Sequence, residues 1–213
     1  MPSFETLVAF FGVSVLLGLT PGPDNIFVLL ESAQRGWRAG MAVVIGLCSG
    51  LVVHTAAVSL GLAAVFAASA LAFTVLKFCG AAYLAWLAWQ SLRAPAVTQT
   101  TASTPVSTAS VAGWGRMAGR GMVMNLSNPK VLVFFLAFLP QFADPLRGEV
   151  APQLAVLGLV FMGATLVVFG AIACFSGLFG ALLQRNARAQ TWLHRVAGWV
   201  FLGLAVRLAL AER

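Results

Sequence analysis

Residues 131–139 and 156–168 are apolar on every face, so the elements they form have no side to turn toward water. Runs of this kind, each of about 20 residues and long enough to cross a hydrocarbon core of roughly 30 Å, recur along nearly the whole chain. The pattern argues against a membrane barrel, whose strands would alternate lipid-facing with polar lumen-facing residues. It argues equally against a water-soluble bundle. Hydrophobic residues fill 60% of the 213 positions and charged ones 9%, which leaves too little polar surface to cover a globule of this size. An all-α, multi-pass membrane protein is expected, with the lipid bilayer as its solvent.

Six transmembrane helices are expected, near residues 4–33, 39–66, 71–92, 119–142, 151–183 and 191–210. Between the third and fourth, residues 94–113 are rich in Ala, Thr, Ser and Pro and carry no charge, a composition that builds no packed core. Residues 94–115 are therefore read as a flexible linker between a first half, 1–93, and a second half, 116–213. The formal charge of +7 raises the question of nucleic acid, but the basic residues stand singly at helix ends, so no nucleic-acid partner is expected.

Their distribution fits topology instead. Arg35, Arg38, Arg93, Arg116, Arg120, Arg185, Arg188 and Arg195 fall on one side, against Arg147 and Arg213 on the other, with Lys77 just inside the third span. The positive-inside rule then places the linker in the cytoplasm and both termini in the periplasm. Met1 to Leu7 lack Lys and Arg, so the first apolar run is expected to persist as a helix and not to be cleaved as a signal peptide. Cys48, Cys79 and Cys174 lie inside apolar runs without metal-type spacing and are read as small packing residues.

An internal repeat is also present. Lys77, Gly80, Tyr83 and Leu84 match Arg195, Gly198, Phe201 and Leu202 at constant offset, and Val44 to Leu47 match Val156 to Leu159. Each half holds three helices. An odd number makes the second copy enter the membrane the opposite way, so the expected architecture is two three-helix inverted repeats, a plan common among secondary transporters.

Each half also begins with an interrupted apolar segment. In the first, Thr20-Pro21-Gly22-Pro23-Asp24-Asn25 breaks the helix, because each proline lacks an amide donor and clashes with the carbonyl four residues earlier, here those of Leu17 and Leu19. In the second, Asn125-Leu126-Ser127-Asn128-Pro129-Lys130 offers Asn128 as an N-cap and Pro129 as the first residue of a new half-helix. Aligning Pro23 with Pro129 makes Asp24 and Lys130 equivalent, with opposite charges. A charge at the bilayer centre costs about 3 kcal/mol or more on insertion scales. A zwitterionic amino acid would compensate both, its carboxylate meeting Lys130 and the half-helix amides, its ammonium meeting Asp24 and the freed carbonyls. The alternative stays open in the sequence: Asp24 caps a helix at the cytoplasmic interface and Lys130 snorkels to the same surface.

His54 in the second span can relay protons or bond a neighbouring helix. Lys77, His194 and Arg195 lie near helix ends, where snorkelling explains them. Gly46 and Gly50, and less strictly Gly177 and Gly180, have the spacing of close helix packing.

The ordered set Pro21-Gly22-Pro23-Asp24, Gly80-Ala81-Ala82-Tyr83-Leu84 and Asn128-Pro129-Lys130 resembles the lysine and threonine exporter family, the LysE/RhtB type, over nearly the full chain. That resemblance implies a proton-coupled secondary transporter of the bacterial inner membrane exporting small amino acids or their derivatives. It implies a substrate site at Pro21, Gly22, Pro23, Asp24, Asn128, Pro129 and Lys130, with Asp24 as the proton carrier; Asn25 at the first break and His54 in the second span join them, on the residues alone, as substrate-binding and proton-coupling candidates. No enzyme activity, cofactor or metal is implied, and self-association is left open. The competing readings are a metal-ion exporter of the same architecture, disfavoured by a linker without His, Asp or Cys, and a non-transporting structural membrane subunit.

Overall fold

A computed structural model describes residues 1–68, 70–94, 113–176 and 187–210. The elements in chain order are α1 (Phe4–Leu19), α2 (Pro23–Arg35), α3 (Trp37–Ala68), α4 (Ala70–Arg93), α5 (Trp114–Leu126), α6 (Pro129–Val133), α7 (Val150–Cys174) and α8 (Ala187–Leu210). Beyond Val133, α6 loosens into a π-helical turn, Phe134–Phe138, and then tightens into a 3₁₀ turn, Leu139–Phe142. The described residues contain no strand, as an apolar chain that must satisfy its own backbone in lipid requires.

Within these residues, Trp37–Gly61 of α3 and Val150–Cys174 are each long and apolar enough to cross a bilayer alone. Two further pairs qualify only when taken together: α1 with α2, bent by 65°, and α5 with the Pro129–Phe142 segment, bent by 55°. The stretches expected as spans, 4–33 and 119–142, are thus each a helix pair bent at its prolines, the geometry of a broken span or of a re-entrant loop. Helices α4 and α8 lie where spans three and six were expected, but neither is among the described helices that are long and apolar enough to cross a bilayer. The helix expected over 151–183 ends at Cys174, followed by a turn at Phe175. Residues 177–186, with Gly177, Gly180 and Arg185, lie outside the described residues, as does most of the linker. Helix α5 starts at Trp114, directly after the uncharged 94–113 stretch.

The distribution of side chains is inverted relative to a protein in water. Leu60, Leu71, Trp192, Trp199 and Leu159 are exposed, while Ser14, Thr20, Asp24, Asn125, Asn128, Lys130 and Thr165 are buried. Apolar groups outside cost nothing in lipid, whereas polar groups gain by turning inward to find partners. The cysteines depart from expectation: Cys48 is half-buried but Cys79 and Cys174 are exposed, so two of the three face the surroundings and fill no core gap.

Two glycine-lined crossings set the architecture. A Cβ on Gly46 would collide with the carbonyl of Ala118, and one on Gly121 with the carbonyl of Val43, so α3 and α5 meet backbone to backbone. A Cβ on Gly50 would collide with the Asn125 side chain, so the same crossing presses Asn125 toward the centre. At the α4–α8 crossing, Gly80 faces Ala137 and Leu208, and Gly198 faces Leu92 and the carbonyl of Ala88.

Candidate functional site

α1 stops at Leu19 because the next residues supply two prolines and no continuing amide ladder. The Thr20 amide closes the helix on the carbonyls of Leu16 and Leu17, and the Asn25 side-chain amide reaches back to the carbonyl of Gly18 at 2.7 Å. α2 then opens with Pro23 in its first turn, where a missing amide does no harm, and with Asp24 beside it. At the second break Asn128 caps α6 as expected. Its side-chain oxygen accepts the Lys130 amide at 3.0 Å, and Pro129 occupies the first turn.

The two breaks are wired to each other. The Asn128 amide donates to Asp24 Oδ2 at 2.8 Å. In return, the Lys130 ammonium lies over the first break, 3.3 Å from the carbonyl of Thr20 and 3.5 Å from that of Leu17. Gly22 leaves room for it, since a Cβ there would sit 3.1 Å from Lys130 Nζ. Asp24 is 3% exposed and Lys130 8%, so neither charge reaches water or a headgroup by snorkelling. Asp24 and Lys130 make no direct ion pair; the ion pairs among the described residues are Arg35–Glu31 and Arg147–Asp144.

Both groups instead face one small cavity, walled also by Leu17 and Gly18 of α1, Asn125 and Val131 at the second break, and Phe161 and Thr165 of α7. Its free volume of about 20 Å³ admits one water molecule. Asp24 Oδ1 and Asn125 Oδ1 are buried without a hydrogen-bond partner, and a water held between polar walls is the ordinary remedy for such atoms. An amino acid does not fit here. The carbonyls expected to meet a substrate ammonium are instead met by Lys130.

Phe161 of the cavity wall belongs to a packed plug of aromatic rings. Phe134 packs against Phe161 at 5.1 Å and Phe138 at 5.0 Å, Phe135 against Phe161 at 5.3 Å, and Phe10 against Phe142 at 4.9 Å. Three of these rings stand on the π-helical turn, a winding that often marks functional segments. The Arg207 guanidinium covers Phe142 at 4.3 Å. On the other side of the two breaks lies an open cleft of about 800 Å³ between α2 and α5, lined by Pro23, Phe27, Arg116, Arg120, Val123 and Asn128 among others.

Of the residues picked from sequence, Pro21, Gly22, Pro23, Asp24, Asn25, Asn128, Pro129 and Lys130 come together at the paired breaks. His54 does not join them at the cavity wall. It is buried, its Nε2 3.4 Å from the Asn125 carbonyl and its ring 5.6 Å from that of Phe135. Sequence reasoning missed Asn125 and Thr165 as cavity walls and Arg207 as a cover for the aromatic plug. Thr165 had a usable signal, a hydroxyl inside an apolar run, and Arg207 another, an unassigned charge inside the sixth span. Among the described residues, no cluster of three or more His, Cys, Asp or Glu could hold a metal ion.

A multi-pass helical protein with a buried acid and base on one small cavity between two broken helices belongs, as a class, with membrane translocators. The chain is a member of the LysE type translocator family, whose profile matches residues 15–212. It is 33% identical to the homoserine/homoserine lactone efflux protein of Salmonella typhimurium over 99% of this chain and 98% of that protein. It is 28% identical to the threonine efflux protein of Escherichia coli K12 over 94% and 95% of the two chains. The leucine efflux protein of Salmonella choleraesuis is 27% identical over 93% and 92%. No solved structure matches the chain.

Proposed function

We propose that this protein is a secondary transporter that exports small amino acids or close derivatives across the bacterial inner membrane, coupled to proton entry. One observation carries the reading: Asp24 and Lys130, opposite charges from the two helix breaks, are both buried on one small, largely apolar cavity. A structural membrane subunit has no need of two such charges, each costing about 3 kcal/mol at the bilayer centre. A zwitterion uses both. Its carboxylate draws the Lys130 ammonium off the Thr20 and Leu17 carbonyls, and its own ammonium takes those carbonyls and the free Oδ1 of Asp24. The efflux activities named for the relatives support the substrate class.

Asp24 is the proposed proton carrier, because it can accept a proton from the periplasm and give it up inside while its charge governs the hold on the substrate ammonium. His54, bonded to the carbonyl of cavity-lining Asn125, is the second candidate. Two further observations support the inverted repeat. The bends fall at matching places in the two halves. The α4–α8 contacts are also reciprocal: Gly80 meets Leu208, and its counterpart Gly198 meets Ala88 and Leu92, either side of the residue that corresponds to Leu208. With the linker in the cytoplasm, both termini are periplasmic; a reporter fused after Arg213 that works only in the cytoplasm would overturn this orientation.

The test is an untargeted comparison of metabolites released by cells overproducing the chain, its Asp24→Asn variant or its Lys130→Ala variant. One or a few amino acids should leave faster with the unmodified chain alone, all three proteins being inserted equally. Undiminished export by both variants would remove the site, and export indifferent to collapse of the proton gradient in vesicles would remove the coupling.

A further inference from the structure

The open cleft between α2 and α5 lies apart from the closed cavity, yet the two share their walls. Pro23 lines the cleft and Asp24 the cavity; Met124 lines the cleft and Asn125 the cavity; Pro129 lines the cleft and Lys130 the cavity. The two spaces are thus opposite sides of one thin partition, made of the helix breaks themselves. Asn128 stands in the cleft wall and bonds Asp24 of the cavity wall at 2.8 Å, so this hydrogen bond spans the partition. At about 800 Å³ the cleft falls in the range of small-molecule sites, unlike the inner cavity.

The chemistry of the cleft is specific. Phe27, Val123 and Met124 give it an apolar wall, and Arg116 and Arg120, one helical turn apart, give it two guanidinium groups. Both arginines are exposed, and neither is in an ion pair among the described residues. Paired guanidinium forks on an apolar wall suit a planar carboxylate attached to an aliphatic body. Beyond Phe161 of the cavity wall the aromatic rings are packed against one another, whereas the cleft is open, which makes the cleft the side from which the partition is reached.

We propose that this cleft is the cytoplasmic intake for the substrate, in which Arg116 and Arg120 hold the amino-acid carboxylate and the Asn128–Asp24 hydrogen bond is the inner gate. The proposal rests on Asp24 and Lys130 being the transport site. Displacing Asn128 from Asp24 joins cleft to cavity and frees the Asp24 carboxylate for the substrate ammonium in the same step. The cleft sets capture from the cytoplasm, and the inner pair sets passage.

The experiment uses the full chain in inside-out vesicles with Cys48, Cys79 and Cys174 replaced by Ala and Val123→Cys added on the cleft wall. The probes are L-homoserine, L-threonine and L-leucine, and the one transported fastest is carried forward. Val123→Cys should react with a membrane-impermeant methanethiosulfonate, and that probe should slow the reaction at least about threefold. In the Arg116→Gln/Arg120→Gln double variant the half-protecting concentration and the KM should both rise about tenfold, equivalent to about 1.4 kcal/mol. The maximal rate should fall less than about threefold, a split that a merely destabilised protein does not give. Arg116→Lys/Arg120→Lys should recover part of the KM, because charge returns without the fork.

Reaction of Val123→Cys only with a lipid-soluble maleimide would mean that acyl chains fill the cleft, and would overturn the proposal. So would an unchanged KM in the double variant, even with Asp24→Asn inactive, a result that leaves the inner site standing. Transport of none of the probes or of any released metabolite would remove the underlying transporter reading instead.

Discussion

Lys130→Met offers the sharpest energetic test of the paired breaks. Methionine keeps the length of the side chain but removes the ammonium from the carbonyls of Thr20 and Leu17, at 3.3 and 3.5 Å, and leaves Asp24 without a nearby cation. The two long hydrogen bonds are worth about 1 kcal/mol each, and stranding a buried charge raises the total to about 3–5 kcal/mol. Asp24→Asn should cost less, about 1–2 kcal/mol, because the asparagine oxygen can still accept from Asn128. The double variant should cost about 2 kcal/mol, well below the sum, since neither charge is then left alone. At roughly 2–4 °C per kcal/mol, Lys130→Met should melt about 10 °C lower in detergent, and adding Asp24→Asn should restore about half of that. Thermal denaturation followed by size-exclusion recovery reads all four proteins in parallel. Additive losses, to within about 0.5 kcal/mol, would refute the reasoning, because they would mean that the two groups do not sense each other's charge across the cavity.

Other outcomes follow from packing. Gly46→Val and Gly121→Val should each abolish recovery of folded protein, as both drive a side chain into an opposing backbone, whereas Gly12→Ala, with nothing nearby, should leave recovery unchanged. Phe134→Ala should lose about 3–5 kcal/mol of stability and make vesicles leaky to the transported amino acid, since the ring is fully buried in the plug. Gln153→Leu should loosen the 144–149 turn, where the Gln153 side chain joins the backbone of Asp144, Gly148 and Glu149; faster proteolysis there is the measurement.

What the sequence disclosed was whatever obeys local covalent rules. Proline removes an amide wherever it stands, so the breaks at Pro21, Pro23 and Pro129 were readable, and so was the Asn128 cap, whose partner is two residues away. The close approach at Gly46 was equally local in origin. The partners across space were hidden: that Asn128 would reach Asp24, or that Lys130 would settle on carbonyls of α1, depends on how α1 and α6 meet, and periodicity says nothing of that. Cysteine exposure was misjudged for a related reason. In lipid, an apolar run tells which residues tolerate burial and not which are buried, so Cys79 and Cys174 could face either way. The π-helical winding through Phe134–Phe138 had no signal either, because phenylalanines at those positions suit an ordinary α-helix as well.

The centre of the molecule holds one carboxylate and one ammonium, and these sum to zero before anything binds. On the proposed mechanism a zwitterion adds zero again, so the membrane voltage, worth about 2.3 kcal/mol per elementary charge per 100 mV, does no work on the centre while Asp24 is ionised and acts on it only when Asp24 carries its proton. Turnover is then electrically silent except for whatever ion accompanies it, and a current recorded during export counts those ions directly.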